Sequence, residues 1–218
     1  MIFLSWISIV EGGSDRSYLD ILLPRVMDDI ALSLGRQIIT VPPAPAAPLG
    51  LAGRAIEAVA EEACRLKEAA HIVFVHADTG GRGLEEGIAA RSCAYCDAMH
   101  AVCDWRRDRC VVVAPRHETE AWALADPLAV TNALGYAGKP GALGLPPNAA
   151  AAERLRDPKA TLDAAFRQVR RRSTPKKAGQ VLPLIAQSQS IDALRGSESF
   201  QAFEAMLAGA MRSLGCID

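Results

Sequence analysis

Short apolar runs alternate with longer segments in which apolar residues recur every three or four positions through the first half of the chain. Apolar runs bounded by Gly or Pro are typical of buried strands, and the longer periodic segments are typical of amphipathic helices. The apolar runs predict strands at residues 3–10, 37–41, 72–76 and 110–114. Strands that alternate with helices pair in parallel through right-handed crossovers, so we predict an α/β fold with a four-stranded parallel sheet.

The periodic segments predict the helices. In the first half they cover residues 14–34, 52–69 and 84–105, and beyond Pro115 they cover residues 117–125, 128–134, 158–172, 176–187 and the chain from about 199. Asp157 before Pro158 is a favourable helix start, because the acid caps free N–H groups and proline suits the first helical position. A Gly- and Pro-rich stretch, residues 135–147, is a candidate linker. We therefore expect a domain over residues 1–126 and a helical elaboration over residues 127–218 packed on it.

Composition and charge narrow the class of protein. The chain has 218 residues, half of them hydrophobic, and a net charge of −1. A chain of this length and composition can bury one substantial core. Its overall charge gives no indication that it binds a polyanion. The apolar run at residues 1–10 has no basic segment before it and is far shorter than the roughly 20 residues that span a bilayer. We expect a cytoplasmic protein without a membrane segment.

Six cysteines lie mostly in predicted helices and strands, which argues against a secreted disulfide scaffold. Four potential zinc ligands are spaced three, four and three residues apart: Cys93, Cys96, His100 and Cys103. On one helix they extend along roughly 15 Å at about 1.5 Å per residue, so one ion cannot reach all four. We predict that the cysteines pack in the core. The alternatives are a metal that two of them share with Cys64 or Cys110, and a redox pair.

Acidic residues follow three of the predicted strands. Glu11 follows the first strand, Asp78 follows the third, and Glu118 and Glu120 lie just beyond the fourth. The carboxyl ends of parallel strands meet at one edge of a sheet, where ligands of open α/β folds bind. Mg²⁺ prefers oxygen ligands and needs only one or two carboxylates besides water and substrate phosphate. We predict a metal site formed by Glu11, Asp78 and Glu120. The alternative is a helix-capping Glu11 and solvated acids in turns.

Four segments together support a resemblance to a known fold family. They are VEGGSD at residues 10–15, FVHAD at 74–78, ETEAWALAD at 118–126 and DPK at 157–159. In this order they resemble a family of small TOPRIM-like proteins related to the TOPRIM domains of OLD-type nucleases. The resemblance implies a four-stranded parallel sheet with helices on both faces. It also implies a Glu after the first strand and a D-x-D after the third, used for Mg²⁺-dependent phosphoryl transfer.

The resemblance assigns roles to single residues. Glu11 matches the family's Glu and Asp78 matches the second Asp, whereas His76 stands in place of the first Asp. Histidine is a poor ligand for Mg²⁺ but a good one for Mn²⁺ or Zn²⁺, and it can also carry a proton. The implied function is an Mg²⁺- or Mn²⁺-dependent nuclease with Glu11, His76, Asp78 and Glu120 in its catalytic site. Relatives are often encoded beside ATPases in phage-defence loci, so the alternative is a non-catalytic subunit that binds an ATPase or nucleic acid.

Basic residues supply a candidate nucleic-acid surface. The densest group lies at a predicted helix end and in the turn after it: Arg167, Arg170, Arg171, Arg172, Lys176 and Lys177. Such a group can clamp backbone phosphates, and Arg82 and Arg116 can contact the same backbone nearer the metal. The alternative is a solvated helix end whose cations complement the helix dipole. A nucleotide-binding enzyme is disfavoured because neither G-x-x-x-x-G-K-[ST] nor G-x-G-x-x-G occurs.

Overall fold

The fold is built on a parallel sheet. The computed structural model describes residues 1–35, 37–77, 84–88, 92–169 and 178–218. Its strands are β1 (Ile2–Phe3), β2 (Trp6–Val10), β3 (Ile39–Thr40), β4 (Pro48–Gly50), β5 (Ile72–His76) and β6 (Cys110–Val113). Four of them form a parallel sheet in the order β4-β2-β5-β6. The predicted α/β class with a four-stranded parallel sheet is confirmed.

The second strand of this sheet differs from our prediction. We expected residues 37–41 to supply it, but β3 pairs with β1 in a separate two-stranded parallel sheet. β4, which lies between the predicted strand at residues 37–41 and the predicted helix at residues 52–69, pairs instead with β2. Pro48 is compatible with this strand, because it is the first residue of β4 and proline is tolerated at the first residue of an edge strand. The side chain of Leu49 is 5% exposed, so burial of a single residue anchors this short strand.

Helices connect and cover the strands. In the described residues they are α1 (Gly13–Leu34), α2 (Ile56–Cys64), α3 (Leu84–Ile88), α4 (Ala94–Cys103), α5 (Thr119–Ala123), α6 (Pro127–Ala133), α7 (Ala149–Ala152), α8 (Pro158–Val169), α9 (Leu182–Ser188), α10 (Ile191–Leu194) and α11 (Glu198–Ser213). α4 ends before the predicted residue 105, because Asp104 has a left-handed backbone with φ 55° that cannot continue a helix. Asp157 accepts a hydrogen bond from the N–H of Ala160, as expected of a cap at the start of α8.

The side chains of each strand alternate between two hydrophobic clusters. Ile7 and Ile9 pack with residues of α2 and α4, whereas Trp6 and Val10 pack with residues of α1 and α11. This period of two is the geometry of any strand, and it determines on which side of the sheet a residue beyond the strand end emerges.

The helices beyond residue 126 share the larger of these clusters with the sheet. Phe200 and Phe203 of α11 contact the ring of Trp122, and Phe203 also lies 6.3 Å from the ring of Phe74 in β5. Leu143, in the stretch that we considered a linker, is 4% exposed and belongs to the same cluster. The described part of residues 127–218 therefore completes the core that covers one side of the sheet.

Four cysteines form two disulfide bonds, which we did not predict. Cys64 of α2 is bonded to Cys103 of α4, and Cys96 of α4 is bonded to Cys110 of β6. The location was foreseen, since these residues lie in or against the smaller hydrophobic cluster. Cys93 and Cys216 are free. None of the helices that the structure describes is long and apolar enough to cross a membrane.

Candidate functional site at the carboxyl edge of the sheet

Three strands end level with one another. Val10 of β2 is paired with His76 of β5, and His76 is paired with Val113 of β6. Because the strands are parallel, the residues that follow them emerge along one edge. Glu11 is the first residue beyond β2, and residues 114–120 continue from β6 at the same edge. This edge is where open α/β folds bind their ligands.

Glu11 lines an open cavity of about 370 Å³. The other lining residues come from the loop after β4, the starts of α2 and α4 and the end of β5: Leu51, Ala52, Gly53, Arg54, Ile56, Ala77 and Tyr95. Glu11 is partly exposed. Arg54 donates a 3.3 Å hydrogen bond to the carbonyl of Gly50 and forms an ion pair with Glu62. A carboxylate, a guanidinium and a phenol therefore line one cavity at the carboxyl edge.

His76 is buried and is held by the fold through both ring nitrogens. Its Nδ1 lies 2.9 Å from the carbonyl oxygen of Val113, and its Nε2 lies 3.2 Å from the hydroxyl of Thr119. A carbonyl can only accept, so Nδ1 carries the proton and Nε2 accepts from the Thr119 hydroxyl. In this tautomer His76 links β5 to β6 and to the first turn of α5. A metal could bind Nε2 only if the contact with Thr119 were given up.

Glu120 is a buried acid in the first turn of α5, with a residue exposure of 5%. Burial raises the pKa of its carboxyl from 4.5 to about 7, and the neighbouring charges of Glu118 and Asp15 add to the increase. Its own backbone N–H and the ammonium of Lys159 act in the opposite direction. The group therefore exchanges its proton near neutral pH, as a general acid or base must.

The turn before α5 has an unusual backbone. His117 adopts φ 69°, a left-handed conformation that is uncommon outside glycine, and Glu118 follows with an extended backbone. The Oε2 atom of Glu118 is buried and has no hydrogen-bond partner in the described part of the chain. Helix α5 begins two residues later than the predicted residue 117, because of this turn.

The structure describes two residues of the predicted metal triad. Glu11 lines the cavity on the side of the smaller cluster, whereas Glu120 is buried beside Asp15, Glu118 and Lys159 on the other side. Asp78 lies outside the described residues. Within the described ranges no group of three or more His, Cys, Asp or Glu side chains is arranged to hold a metal ion.

The predicted basic surface is likewise described only in part. Arg116 is partly exposed, and its guanidinium lies 3.9 Å from the carboxylate of Glu198. Arg167 is exposed in the last turn of α8. The remaining predicted residues lie outside the described part of the chain: Arg82, Arg170, Arg171, Arg172, Lys176 and Lys177.

Sequence reasoning missed several residues around the two acids. Arg54 and Tyr95 line the cavity beside Glu11, and Asp15 and Lys159 act on Glu120. Asp15 could have been found, because it lies in the same VEGGSD segment as Glu11. Lys159 could have been found in the same way, because it ends the DPK segment. Nothing in the spacing of Arg54 or Tyr95 marks them, since only the fold of distant segments brings them here.

The chain was also compared with known proteins. No family model, no curated protein and no solved structure matches it.

Proposed function

We propose that the chain is a TOPRIM-like, Mg²⁺- or Mn²⁺-dependent nuclease whose metal is held at the carboxyl edge of the sheet, with Glu11 as its first ligand. The observation that carries this proposal is the register of β2, β5 and β6, because Glu11 and the residues after β5 and β6 follow strands that end at one edge. A phosphodiester at this edge meets a carboxylate in an open cavity, the setting that metal-assisted phosphoryl transfer requires.

The donors fit a hard cation. Glu11 offers carboxylate oxygens at the mouth of the cavity, and Asp78 is the second ligand in this proposal. Mg²⁺ needs no more than these beside water and substrate phosphate. An ion held by these residues would supply positive charge for the developing oxyanion. Glu120, whose pKa is about 7, gives and takes a proton, and Arg54 orients the phosphate from the wall of the cavity.

One observation favours a second function, that of a non-catalytic subunit that binds an ATPase or nucleic acid. His76 occupies the place of the first Asp of the catalytic pattern, and both of its ring nitrogens have partners within the fold. In this function His76 stabilises the fold and replaces an oxygen ligand of the metal. The chain would then keep the TOPRIM-like architecture but bind a metal more weakly.

The test is cleavage of single- and double-stranded DNA and RNA with Mg²⁺ or Mn²⁺. We expect cleavage that EDTA removes and that Glu11→Gln lowers by at least about a hundredfold, because loss of an electrostatic contact in the transition state costs about 3 kcal/mol or more. Glu61→Gln is the matched control, since Glu61 is an exposed acid on α2 that does not line the cavity. This control should cleave at the wild-type rate.

Two results would decide against the nuclease. One is that neither metal supports cleavage, with or without an ATPase encoded beside the chain, while the chain forms a stable complex with that ATPase. This is the outcome expected of the binding subunit. The other is equal cleavage by wild type and Glu11→Gln, which would show that a contaminant acts. His76→Asp separates the two functions further, because a restored oxygen ligand raises Mg²⁺-supported cleavage.

A further inference from the structure

A second cavity lies at the opposite, amino-terminal end of the sheet. It has a volume of about 290 Å³ and is lined by Lys67, Glu68, Ala70, His71, Asp104, Trp105, Arg106 and Arg109. His71 directly precedes β5, and Arg109 directly precedes β6. Strands of five residues at about 3.3 Å per residue separate this cavity from Glu11 by roughly 17 Å. It therefore does not belong to the site at the carboxyl edge.

His71 presents an N–H to this cavity. The backbone N–H of Ser5 lies 3.1 Å from its Nδ1, and a backbone N–H can only donate. Nδ1 is therefore an acceptor, and the proton of the neutral ring is on Nε2. The structure gives this Nε2 no hydrogen-bond partner among the described residues, so it remains available to a ligand.

Trp105 and Arg109 also line the cavity. Trp105 is 3% exposed, so the protein covers most of its indole ring. Arg109 is half-buried and makes no hydrogen bond to a described residue, and its Nε is a buried donor without a partner. An unsatisfied charged donor in a partly buried position is costly, so an acceptor at this point stabilises the fold.

The charges around the cavity are arranged with cations inside and acids outside. Lys67 is half-buried, and its ammonium donates one 2.7 Å hydrogen bond to the carbonyl of Cys103 and keeps two further N–H groups. Glu68 and Asp104 are exposed, where water and salt screen their charge. Asp108 forms two hydrogen bonds with Arg106, and its charge also interacts with that of Arg109.

We propose that this cavity binds a phosphate group through Lys67, His71, Trp105 and Arg109. All four residues offer N–H donors, which match the oxygens of an oxyanion. A guanidinium with free N–H groups matches the paired oxygens of a phosphate. The ligand is a phosphate monoester or free phosphate. The proposal is independent of the nuclease function, because none of these residues lies at the carboxyl edge.

The test is calorimetric titration of the full chain with inorganic phosphate, a nucleoside 5′-monophosphate and a 5′-phosphorylated oligonucleotide, followed in parallel by the fluorescence of Trp105. We expect saturable binding, with a change in indole emission that Trp105→Phe removes. Arg109→Gln should weaken binding by at least about tenfold, because a hydrogen bond to a charged group is lost. Arg107→Gln is the matched control, since Arg107 belongs to the same 3-10 turn, is exposed, pairs with Asp97 and does not line the cavity.

The three ligands identify the source of the phosphate. Binding of inorganic phosphate alone indicates a free anion site, tighter binding of the monophosphate indicates a small phosphate ester, and tightest binding of the oligonucleotide indicates a nucleic-acid end. Arg109→Lys keeps the positive charge and controls for a folding defect. It should have the same melting temperature as Arg109→Gln and should bind phosphate more tightly. Absence of saturable binding to the wild type, or equal affinity in wild type and Arg109→Gln, would overturn the proposal.

Discussion

Glu11 and Glu120 carry the same carboxyl group in different environments. Glu11 faces an open cavity, whereas Glu120 is buried beside two further acids, and burial raises its pKa to about 7. At neutral pH the carboxyl of Glu120 is a group that gains and loses a proton. A metal-dependent reaction needs both kinds of group, one to hold the ion and one to move protons.

The raised pKa of Glu120 predicts a pH dependence of stability. Between the unfolded value of 4.5 and the folded value of about 7, the folded protein holds a proton that the unfolded chain has released. The free energy of unfolding therefore falls as the pH rises through this window, by about 2 to 3 kcal/mol for this group. Glu120→Gln should remove that part of the decrease. Urea unfolding at pH 5 and pH 8, with EDTA present, measures the free energy of unfolding of the wild type and of Glu120→Gln.

The control for this experiment is Glu57→Gln, since Glu57 is an exposed acid on α2. It should show the same change in stability between the two pH values as the wild type. If Glu120→Gln also lost as much stability as the wild type between pH 5 and pH 8, the carboxyl of Glu120 would titrate near its ordinary value.

At the level of elements, the disulfides join α2 and α4 to each other and α4 to β6. Cys96 and Cys103 are seven residues apart on α4, so they lie two turns apart on one side of the helix. The same helix pair borders the cavity of Glu11, through Ile56 at the start of α2 and Tyr95 in the first turn of α4. The cross-links therefore hold the wall of the candidate site in place.

We predict that peptide mapping under non-reducing conditions finds Cys64 linked to Cys103 and Cys96 linked to Cys110. Their sequence separations of 39 and 14 residues correspond to about 4 and 3 kcal/mol in the loop-entropy model. The pair replacement Cys64→Ser with Cys103→Ser should lower the free energy of unfolding by about that first amount. Cys93→Ser, which removes a free thiol, should leave it nearly unchanged. Alkylation of all six cysteines in the folded, unreduced protein would contradict the pairing.

How far the sequence predicts these elements depends on their length and on local signals. β5 was predicted with its observed bounds, because five consecutive apolar or aromatic positions are flanked by clear breaks. β4 was missed, since three residues with one buried side chain, Leu49, show no period. The disulfide partners were missed for another reason: helical spacing shows which cysteines share a side, but only packing shows what lies opposite.

The candidate site was predictable to a similar degree. Strand ends are visible in the sequence, so the edge that carries Glu11 and His76 could be foreseen. The role of His76 could not, because its hydrogen bonds go to Val113 and Thr119 of a distant segment. The opposite sides taken by Glu11 and Glu120 follow from strand alternation and from the turn at His117, and that turn carries no sequence signal.

At the scale of the whole molecule, residues 1–126 do not close their own core. The larger cluster contains Trp6 and Phe74 of the sheet together with Phe200 and Phe203 of α11, and these residues are at most 1% exposed. Removal of α11 would expose several large aromatic side chains at once, each of which stabilises the fold by roughly 2 kcal/mol or more when buried.

We predict that a fragment of residues 1–126 does not fold alone. It should give a poorly dispersed amide NMR spectrum and rapid proteolysis, whereas the full chain gives a dispersed spectrum. Addition of a separate fragment of residues 127–218 should restore dispersion if the two parts fold together. A well-dispersed spectrum of the first fragment by itself would show that its side of the sheet can be covered without α11.

The hydrogen bond from Tyr18 of α1 to Gln189, which follows α9, spans 171 residues of sequence. Arg25 of α1 likewise donates to the carbonyls of Ala186 and Gln189. A ribosome that adds 5 to 20 residues per second makes the partner of Tyr18 roughly 10 to 30 s after Tyr18 itself. During that interval the apolar face of α1 has no cover from α9 or α11. The nascent chain therefore offers a hydrophobic helix to chaperones during this interval, and the speed of translation sets how long that exposure lasts.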